Sequence, residues 1–399
     1  MTPPDPHAAN NHPGKVSPAA IATGGLVALA AAMGIGRFVY TPILPFMVET
    51  LGLGGAQAGL IASANFLGYL IGALLAAWPG LPGGRRGWFL AAVATSGVTT
   101  AAIGLTEAVP AFLVLRFVGG MASAFALIFA SALVLDRLAR AGRGSLASVH
   151  FAGVGTGVAV SAVLVALLAA AGGDWRVLWF VAGLVALAAL PAVARLVPAA
   201  SDGDRPSAAP ADTATVSAGK LARLILAYGL FGFGYVITAT FVSAMVRSLP
   251  ALQPVEPYVW LVFGLAAVPS VALWVTLGRR IGIARSFAIA CLVEAAGVAA
   301  TVAIVDPVVV VLGAALLGGT FMGLTALGLM LARELARGDP RRNIGLMTAA
   351  FGLGQMIGPA WAGFVLERSG SLTLPTLTAA AALVVAAALV TGVAPVRRP

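Results

Sequence analysis

Length, composition and charge indicate a membrane protein. The 399 residues are 60% hydrophobic and only 10% charged, whereas a soluble domain carries roughly 25% charged residues. The net charge of +10 does not indicate nucleic-acid binding, because the positive residues form short clusters between apolar runs and build no basic face. The single cysteine, Cys291, excludes an intramolecular disulfide and a CxxC or Cys/His metal site.

The first segment, residues 1–18, is polar and rich in proline. It lacks the short apolar core and small-residue cleavage site of a signal peptide. We predict that it forms a disordered cytoplasmic tail.

Twelve apolar segments follow, six on each side of a polar stretch. The first six are Ala19–Val48, Ala56–Ala77, Trp88–Leu105, Val109–Leu135, Leu146–Ala171 and Val177–Leu196. The second six are Leu221–Val246, Tyr258–Leu277, Ile283–Val305, Val308–Leu331, Ile344–Leu366 and Leu372–Val393. Their length and their Ala, Leu, Val and Gly content are typical of helices that cross a bilayer. We therefore predict an all-α integral membrane fold with twelve transmembrane helices.

The polar stretch 198–220 contains Asp, Pro, Ser and Ala and no aromatic residue. This composition predicts a flexible cytoplasmic linker. It separates an N-terminal half, 19–197, from a C-terminal half, 221–394, and residues 395–399 form a cytoplasmic tail.

The basic residues predict the orientation. With the N-terminus inside, 19 of the 24 Lys and Arg lie in inner loops and tails, and three lie outside: Arg176, Arg247 and Arg368. This asymmetry places both termini in the cytoplasm. We expect a multi-pass protein of the bacterial inner membrane.

The two halves are related as copies. Four short motifs recur in order at offsets of 197 to 199 residues, and their first residues pair as Gly34 with Gly232, Gly119 with Gly318, Leu138 with Leu335, and Gly153 with Gly352. Because each copy has six helices, both insert with the same orientation, and the repeat axis runs along the membrane normal. We expect the substrate site between the halves, near the midplane.

This organisation resembles the major facilitator superfamily over nearly the whole chain. The runs Gly34–Met47 and Ala64–Gly72 look like its YbfB/YjiJ-type branch. The resemblance implies transport by alternating access and a monomeric protein, with the first and fourth helices of each half facing a central cavity.

The resemblance also implies a cytoplasmic gate. Gly80, Arg85 and Gly87 fit the signature that follows the second helix, but Gly84 stands where the family has an aspartate. The counterpart in the second half keeps Arg280 and Gly282, also without the aspartate. We predict that these five residues, Gly80, Arg85, Gly87, Arg280 and Gly282, belong to a gate that is held differently from the family's.

Two arginines within apolar segments are candidates for substrate binding. An arginine at the centre of a membrane helix costs about 2.5–3.5 kcal/mol on insertion scales, so Arg37 and Arg116 require a partner or a function. Guanidinium groups bind carboxylate, phosphate or sulfate oxygens bidentately. The alternative is that they hydrogen-bond to backbone carbonyls and hold helices together, and Arg116 also matches a fourth-helix signature of the superfamily. We expect the remaining substrate-binding residues to be Tyr40, Asn65, Tyr235 and Gln355.

Two titratable residues are candidates for proton coupling. Glu294 lies deep in the ninth segment, where a carboxyl holds a proton near neutral pH and releases it on hydration. His150 lies near the cytoplasmic end of the fifth segment, and a histidine titrates at about pH 6.5. A carboxyl on a peripheral helix and a histidine that caps a helix end are the structural alternatives.

We therefore predict a secondary transporter, without cofactor or bound metal, that carries a small polar, anionic organic solute and is coupled to protons. The sequence contains no GxxxxGK[ST] loop, so nothing in it indicates direct use of ATP. An exporter of amphipathic compounds is the alternative among transporters, although the fifth segment lacks the proline of the antiporter signature. A non-transporting membrane sensor is the alternative outside that class, and we expect no enzymatic activity. The expected partners of the transporter are the solute, membrane lipid and protons.

Overall fold

The computed structural model describes residues 16–78, 80–198, 218–335 and 341–393, and these ranges are helical apart from short connections. The helices of the N-terminal half are α1 Pro18–Leu29, α2 Tyr40–Leu51, α3 Gly55–Ala76, α4 Arg85–Ile103, α5 Val109–Arg140, α6 Ala147–Ala170, α7 Trp175–Ala188 and α8 Leu190–Leu196. Those of the C-terminal half are α9 Ala218–Ser248, α10 Glu256–Ile281, α11 Ile283–Ala303, α12 Pro307–Glu334, α13 Arg341–Ser369 and α14 Thr373–Thr391.

Length and composition qualify eleven segments of the described chain as membrane spans. Two of them combine consecutive elements, because α1 and α2 form one span and α7 and α8 form another. The predicted segment that is not among these eleven is the third, Trp88–Leu105, which corresponds to the 19-residue helix α4. Helix α4 begins with two arginines and carries several Ser and Thr residues, which lower its mean hydropathy. The all-α membrane fold predicted from the sequence is confirmed.

The predicted linker and tails fall largely outside the described residues. Residues 1–15, 199–217 and 394–399 are not among the described residues, so the boundaries of the two halves remain predictions. The helix α9 begins at Ala218, three residues before the predicted start of the seventh segment.

We call the end of the bundle at which α1 begins and α14 ends the terminal face, and the end at which α2 leads into α3 the distal face. The halves pack through α3 against α13, α6 against α10, and α2 against α9. The first of these contacts requires Gly59, because a Cβ atom there would lie 2.2 Å from the carbonyl oxygen of Pro359. Small residues thus allow the two halves to approach through their backbones.

Charged side chains join the halves at the distal face. The guanidinium of Arg247, at the end of α9, donates from Nε to Glu49 Oε1 at 2.6 Å and from Nη2 to Glu49 Oε2 at 3.0 Å. The carboxylate of Glu367 accepts from the backbone N–H of Ala56 at 2.8 Å, in the first turn of α3. Both contacts cross from one half to the other, so the distal face is closed.

Aromatic rings fill the centre of the junction. The ring of Phe38 contacts Phe321 edge-on, with 5.7 Å between centroids, and Trp260 at 6.5 Å. Phe321 in turn stacks on Tyr235 at 4.7 Å. Since Phe38 belongs to the N-terminal half and the other three residues to the C-terminal half, this cluster joins the two halves at their junction.

Candidate functional site

The site is built on an interruption of the first membrane span. Between α1 and α2, residues Ala30–Ile35 form a π-helix. The N–H groups of Gly36 and Phe38 each donate to a carbonyl five residues earlier, at 2.9 and 3.1 Å. Pro42 follows without a backbone N–H, so the regular ladder cannot resume at that residue. The sequence predicted one continuous helix over Ala19–Val48, and the structure places the interruption where Arg37 lies.

Arg116 binds the interrupted backbone. Its guanidinium donates from Nη1 to the carbonyl oxygen of Gly36 at 3.4 Å and from Nη2 to that of Arg37 at 3.1 Å. The same group lies 5.0 Å from the ring centroid of Tyr40 and 5.8 Å from that of Trp179. Arg116 therefore hydrogen-bonds to backbone carbonyls that the π-helical interruption removes from the regular helical hydrogen-bond pattern.

Two further predicted site residues surround Arg116. Asn65 donates from Nδ2 to the backbone carbonyl of Arg116 at 2.8 Å. The hydroxyl of Tyr40 donates to the carbonyl of Ala58 at 2.8 Å. Each of these side chains is buried and ties α3 to a neighbouring element, so the two residues fix the positions of α2, α3 and α5 around the break.

Arg37 reaches from the N-terminal half to the C-terminal half. Its Nη2 donates to Gln355 Oε1 at 3.0 Å, and Gln355 donates from Nε2 to the hydroxyl of Tyr235. The guanidinium lies over the rings of Tyr69 and Phe66, at 4.1 and 4.7 Å from their centroids. The structure thus brings together three of the predicted substrate-binding residues, Arg37, Gln355 and Tyr235, in one chain of contacts.

The charge of Arg37 has no counterion in the described part of the chain. The residue is only 2% exposed, its Nε has no hydrogen-bond partner, and it makes no ion pair with a described residue. Arg116 is 3% exposed and is likewise without an ion pair there. A buried cation is costly unless a charge or a set of dipoles compensates it. Two such cations near the junction make this region strongly attractive to an anion.

Of the two proton-coupling candidates, Glu294 is close enough to Tyr235 of this site to interact with it electrostatically. Glu294 in α11 is fully buried, and neither of its carboxyl oxygens has a hydrogen-bond partner among the described residues. His150 in α6 is also fully buried, with Nε2 at 3.2 Å from Ser131 Oγ and its ring against Gly25 of α1. Neither residue contacts Arg37 directly.

The predicted gate residues lie at the terminal face. Arg85 begins α4, and Arg280 is exposed near the end of α10. Gly282 joins α10 to α11 with a φ of +98°, a conformation that favours glycine. The neighbouring Arg86 donates to the carbonyls of Val197 and Ala194, at 3.1 and 2.7 Å, at the end of α8. The gating role of the predicted residues stays a prediction.

Sequence reasoning missed the contacts that close the distal face. Glu49, Arg247 and Glu367 were assigned no role, because charged residues at helix ends usually face water. Thr41 was missed as well, although its hydroxyl donates to the carbonyl of Ala239 in α9 at 2.6 Å. Glu49 and Arg247, like Thr41 and Ala239, are 198 positions apart, and only this match to the repeat offset could have suggested that they meet across the junction. No such signal exists for Glu367 and Ala56, which are 311 positions apart.

The comparisons with known proteins agree with this architecture. Two solved structures of the nucleoside transporter NupG are similar in fold. A mutant form aligns with a TM-score of 0.72 at 15% identity over 94% of this chain and 99% of that chain. A second structure of that transporter aligns with a TM-score of 0.67 at 14% identity over 94% of this chain and 98% of that chain. No curated protein matches the sequence.

The sequence itself identifies the family. Residues 29–391 match the family described as the uncharacterised MFS-type transporter YbfB. That range covers the π-helical interruption of the first span, both buried arginines and the C-terminal half through the end of α14. The chain is therefore a multi-pass membrane protein of the major facilitator superfamily and belongs to its YbfB-type transporter family.

Proposed function

We propose that this protein is a secondary transporter of a small anionic organic solute. The observation that carries the proposal is the buried guanidinium of Arg37, which bridges the two halves and has no counterion among the described residues. A carboxylate or phosphate group would provide both the missing charge and a bidentate partner. Gln355 and Tyr235 lie next in the chain of contacts and can hydrogen-bond the remainder of the solute.

Alternating access follows from the position of Arg37 between the halves. We propose that the terminal face is cytoplasmic, as the distribution of basic residues predicts, and that the protein lies in the bacterial inner membrane. The ion pair between Glu49 and Arg247 then closes the outer side. Rocking of the two halves would break this pair and expose Arg37 to the outside.

The test begins with a thermal-shift screen of the purified protein against carboxylates, organic phosphates, sugars, amino acids, nucleosides and cationic drugs. We expect anions to stabilise the protein most. Calorimetry with the best ligand should then show that Arg37→Gln loses at least tenfold in affinity, because a hydrogen bond to a charged group contributes about 1.5–3 kcal/mol. Arg37→Lys should restore only part of the affinity, since a point charge does not reproduce the guanidinium fork.

Arg176→Gln is the matched control for this experiment. Arg176 is partly exposed and pairs with Glu107 at the distal face, so its loss should leave affinity unchanged. Full affinity in a folded Arg37→Gln protein would assign Arg37 to helix packing and remove the main support for an anionic solute.

Proton coupling is the second component of the proposal. Glu294 supports it, because a fully buried carboxyl without a hydrogen-bond partner in the described residues is costly to keep ionised. His150, buried against α1 and Ser131, is the other candidate. We expect Glu294→Gln, His150→Gln or both to abolish uptake driven by a pH gradient in proteoliposomes, while exchange of solute without a gradient continues. If both variants retain gradient-driven uptake, neither residue carries the proton.

A further inference from the structure

A cavity of about 380 Å³ opens between the two halves at the terminal face. It is enclosed by the terminal-face ends of α5, α6, α10 and α12. Val271, Val275 and Arg279 line it from α10 at intervals of four residues, so they share one face of that helix. Eight residues separate Val271 from Arg279, which places Val271 about 12 Å deeper than the mouth at a rise of about 1.5 Å per residue.

The mouth of this cavity is basic. Arg279 and Arg333 both line it, and both are exposed. Neither guanidinium group makes a hydrogen bond or an ion pair with another described residue. The hydroxyl of Ser148, at the start of α6, lies on the opposite side of the cavity and belongs to the N-terminal half. Two guanidinium groups therefore face this space with their donors available to a ligand, whereas the hydroxyl of Ser148 donates to the carbonyl of Ser145 at 2.9 Å.

The basic pair is not inherited from the internal repeat. At the offset of 197 residues that relates the ends of α5 and α12, the counterpart of Arg333 is Asp136. In the loop signature, the counterpart of Arg279 is Gly84. One half has thus acquired two positive charges where the other has an acid and a glycine. The fold alone does not require this arrangement.

The deeper walls of the cavity are apolar. They consist of Val271 from α10, Met322 from α12 and Phe151 from α6, together with other apolar side chains of the same helices. A ligand that filled the cavity would place a charged group between the arginines and an apolar group against these walls. An inorganic anion would use only the mouth.

We propose that this cavity is a binding site for an amphipathic anion, with a carboxylate or phosphate group between Arg279 and Arg333 and an apolar chain against Met322, Phe151 and Val271. The inference rests on the proposed function, since it narrows the class of the transported solute and adds a site at the terminal face. A soluble amphiphile and the headgroup of an anionic lipid share this chemistry.

Protection of a single cysteine tests the proposal. In a Cys291→Ser background, Ser148→Cys places a thiol on the cavity wall, and its labelling rate by a maleimide is measured in nanodiscs of phosphatidylcholine. We expect octyl phosphate to slow the labelling, inorganic phosphate to require at least tenfold higher concentration, and neutral octyl glucoside to have no effect. The double variant Arg279→Gln/Arg333→Gln should reduce protection by octyl phosphate at least tenfold.

The matched control is Arg195→Gln/Arg285→Gln, which removes two exposed arginines of the terminal face that do not line the cavity. It should keep full protection. Protection that is the same in both double variants, or none in the parent protein, would overturn the proposal. If phosphatidylglycerol in the nanodiscs protects the thiol without added octyl phosphate, the site holds and its ligand is a lipid headgroup.

The same experiment separates this inference from the proposed function. Octyl phosphate should still protect the thiol in Arg37→Gln, because Arg37 does not line the cavity. Loss of solute binding in Arg37→Gln without any protection by octyl phosphate would refute the cavity site and keep the proposed function. If octyl phosphate protects the thiol and Arg37→Gln binds the solute as tightly as the parent protein, the cavity site is supported and the proposed role of Arg37 is refuted.

Discussion

At the scale of single residues, Arg37 and Arg116 are two arginines at similar depth whose guanidinium groups bind different partners. Arg116 donates from Nη1 and Nη2 to backbone carbonyls, whereas Arg37 donates from Nη2 to the amide of Gln355, a side chain that can rotate away. The sequence could identify both residues, because an arginine within an apolar run is conspicuous. It could not identify their partners, since Arg37 and Gln355 are 318 positions apart and only the packing of two halves brings them together.

The variant Gln355→Glu should imitate a bound anion. A carboxylate at this position would pair with Arg37 and neutralise its buried charge, so we expect a higher melting temperature and at least tenfold weaker binding of the anionic ligand. Gln355→Met, of similar volume and without charge, is the control and should lower the melting temperature. The idea is wrong if Gln355→Glu binds the anion as tightly as the parent protein does, measured by calorimetry.

At the scale of elements, the first span is the exception to a regular pattern. Apolar length predicted where helices lie, and the segments observed follow it closely. Periodicity could not reveal the π-helix of Ala30–Ile35, because its residues are as apolar as those of a regular helix. The interruption depends instead on donors from other elements, namely Arg116 and the hydroxyl of Ser96, which donates to the carbonyl of Ala32 at 3.1 Å.

Replacing Arg116 with leucine should therefore destabilise the protein. The carbonyl of Arg37 would lose this donor and that of Gly36 would keep only the hydroxyl of Thr100 at 3.5 Å, and an unsatisfied buried group costs about 1–3 kcal/mol. Equilibrium unfolding of the reconstituted protein in SDS would measure the loss. Arg176→Leu, at the partly exposed distal face, should change the free energy of unfolding by less than about 0.5 kcal/mol. Equal stability of the two variants would show that the carbonyls need no donor.

At the scale of the whole molecule, the hydrophobic segments and the internal repeat were sufficient to predict two related sets of six helices. The repeat predicted that a site lies between the halves, since related units meet around their common axis. It did not predict which face is closed, because that depends on pairs such as Glu49 with Arg247, whose attraction becomes visible only when the halves are assembled.

The orientation in the membrane gives a direct test at this scale. In a Cys291→Ser background, single cysteines at Ser207 and Gln253 are exposed to an impermeant thiol reagent added to whole cells. Gln253 is exposed at the distal face and should be labelled, whereas Ser207, in the polar stretch between the halves and outside the described residues, should be spared. Both sites should react after the cells are permeabilised. Labelling of Ser207 in intact cells would invert the proposed topology.

The bond between Arg37 and Gln355 has a kinetic consequence for a carrier of this kind. While the distal face is closed, Gln355 acts as an internal competitor for the guanidinium, and a solute that arrives from the terminal side must displace it. When the halves part at the distal face, Gln355 moves away with its own half, and a solute from that side meets an unoccupied guanidinium. If Arg37 binds the solute as proposed, we expect the Michaelis constant for transport to be lower on the distal side. Solute would then be captured there at low concentration, while the direction of net transport would still follow the gradients across the membrane.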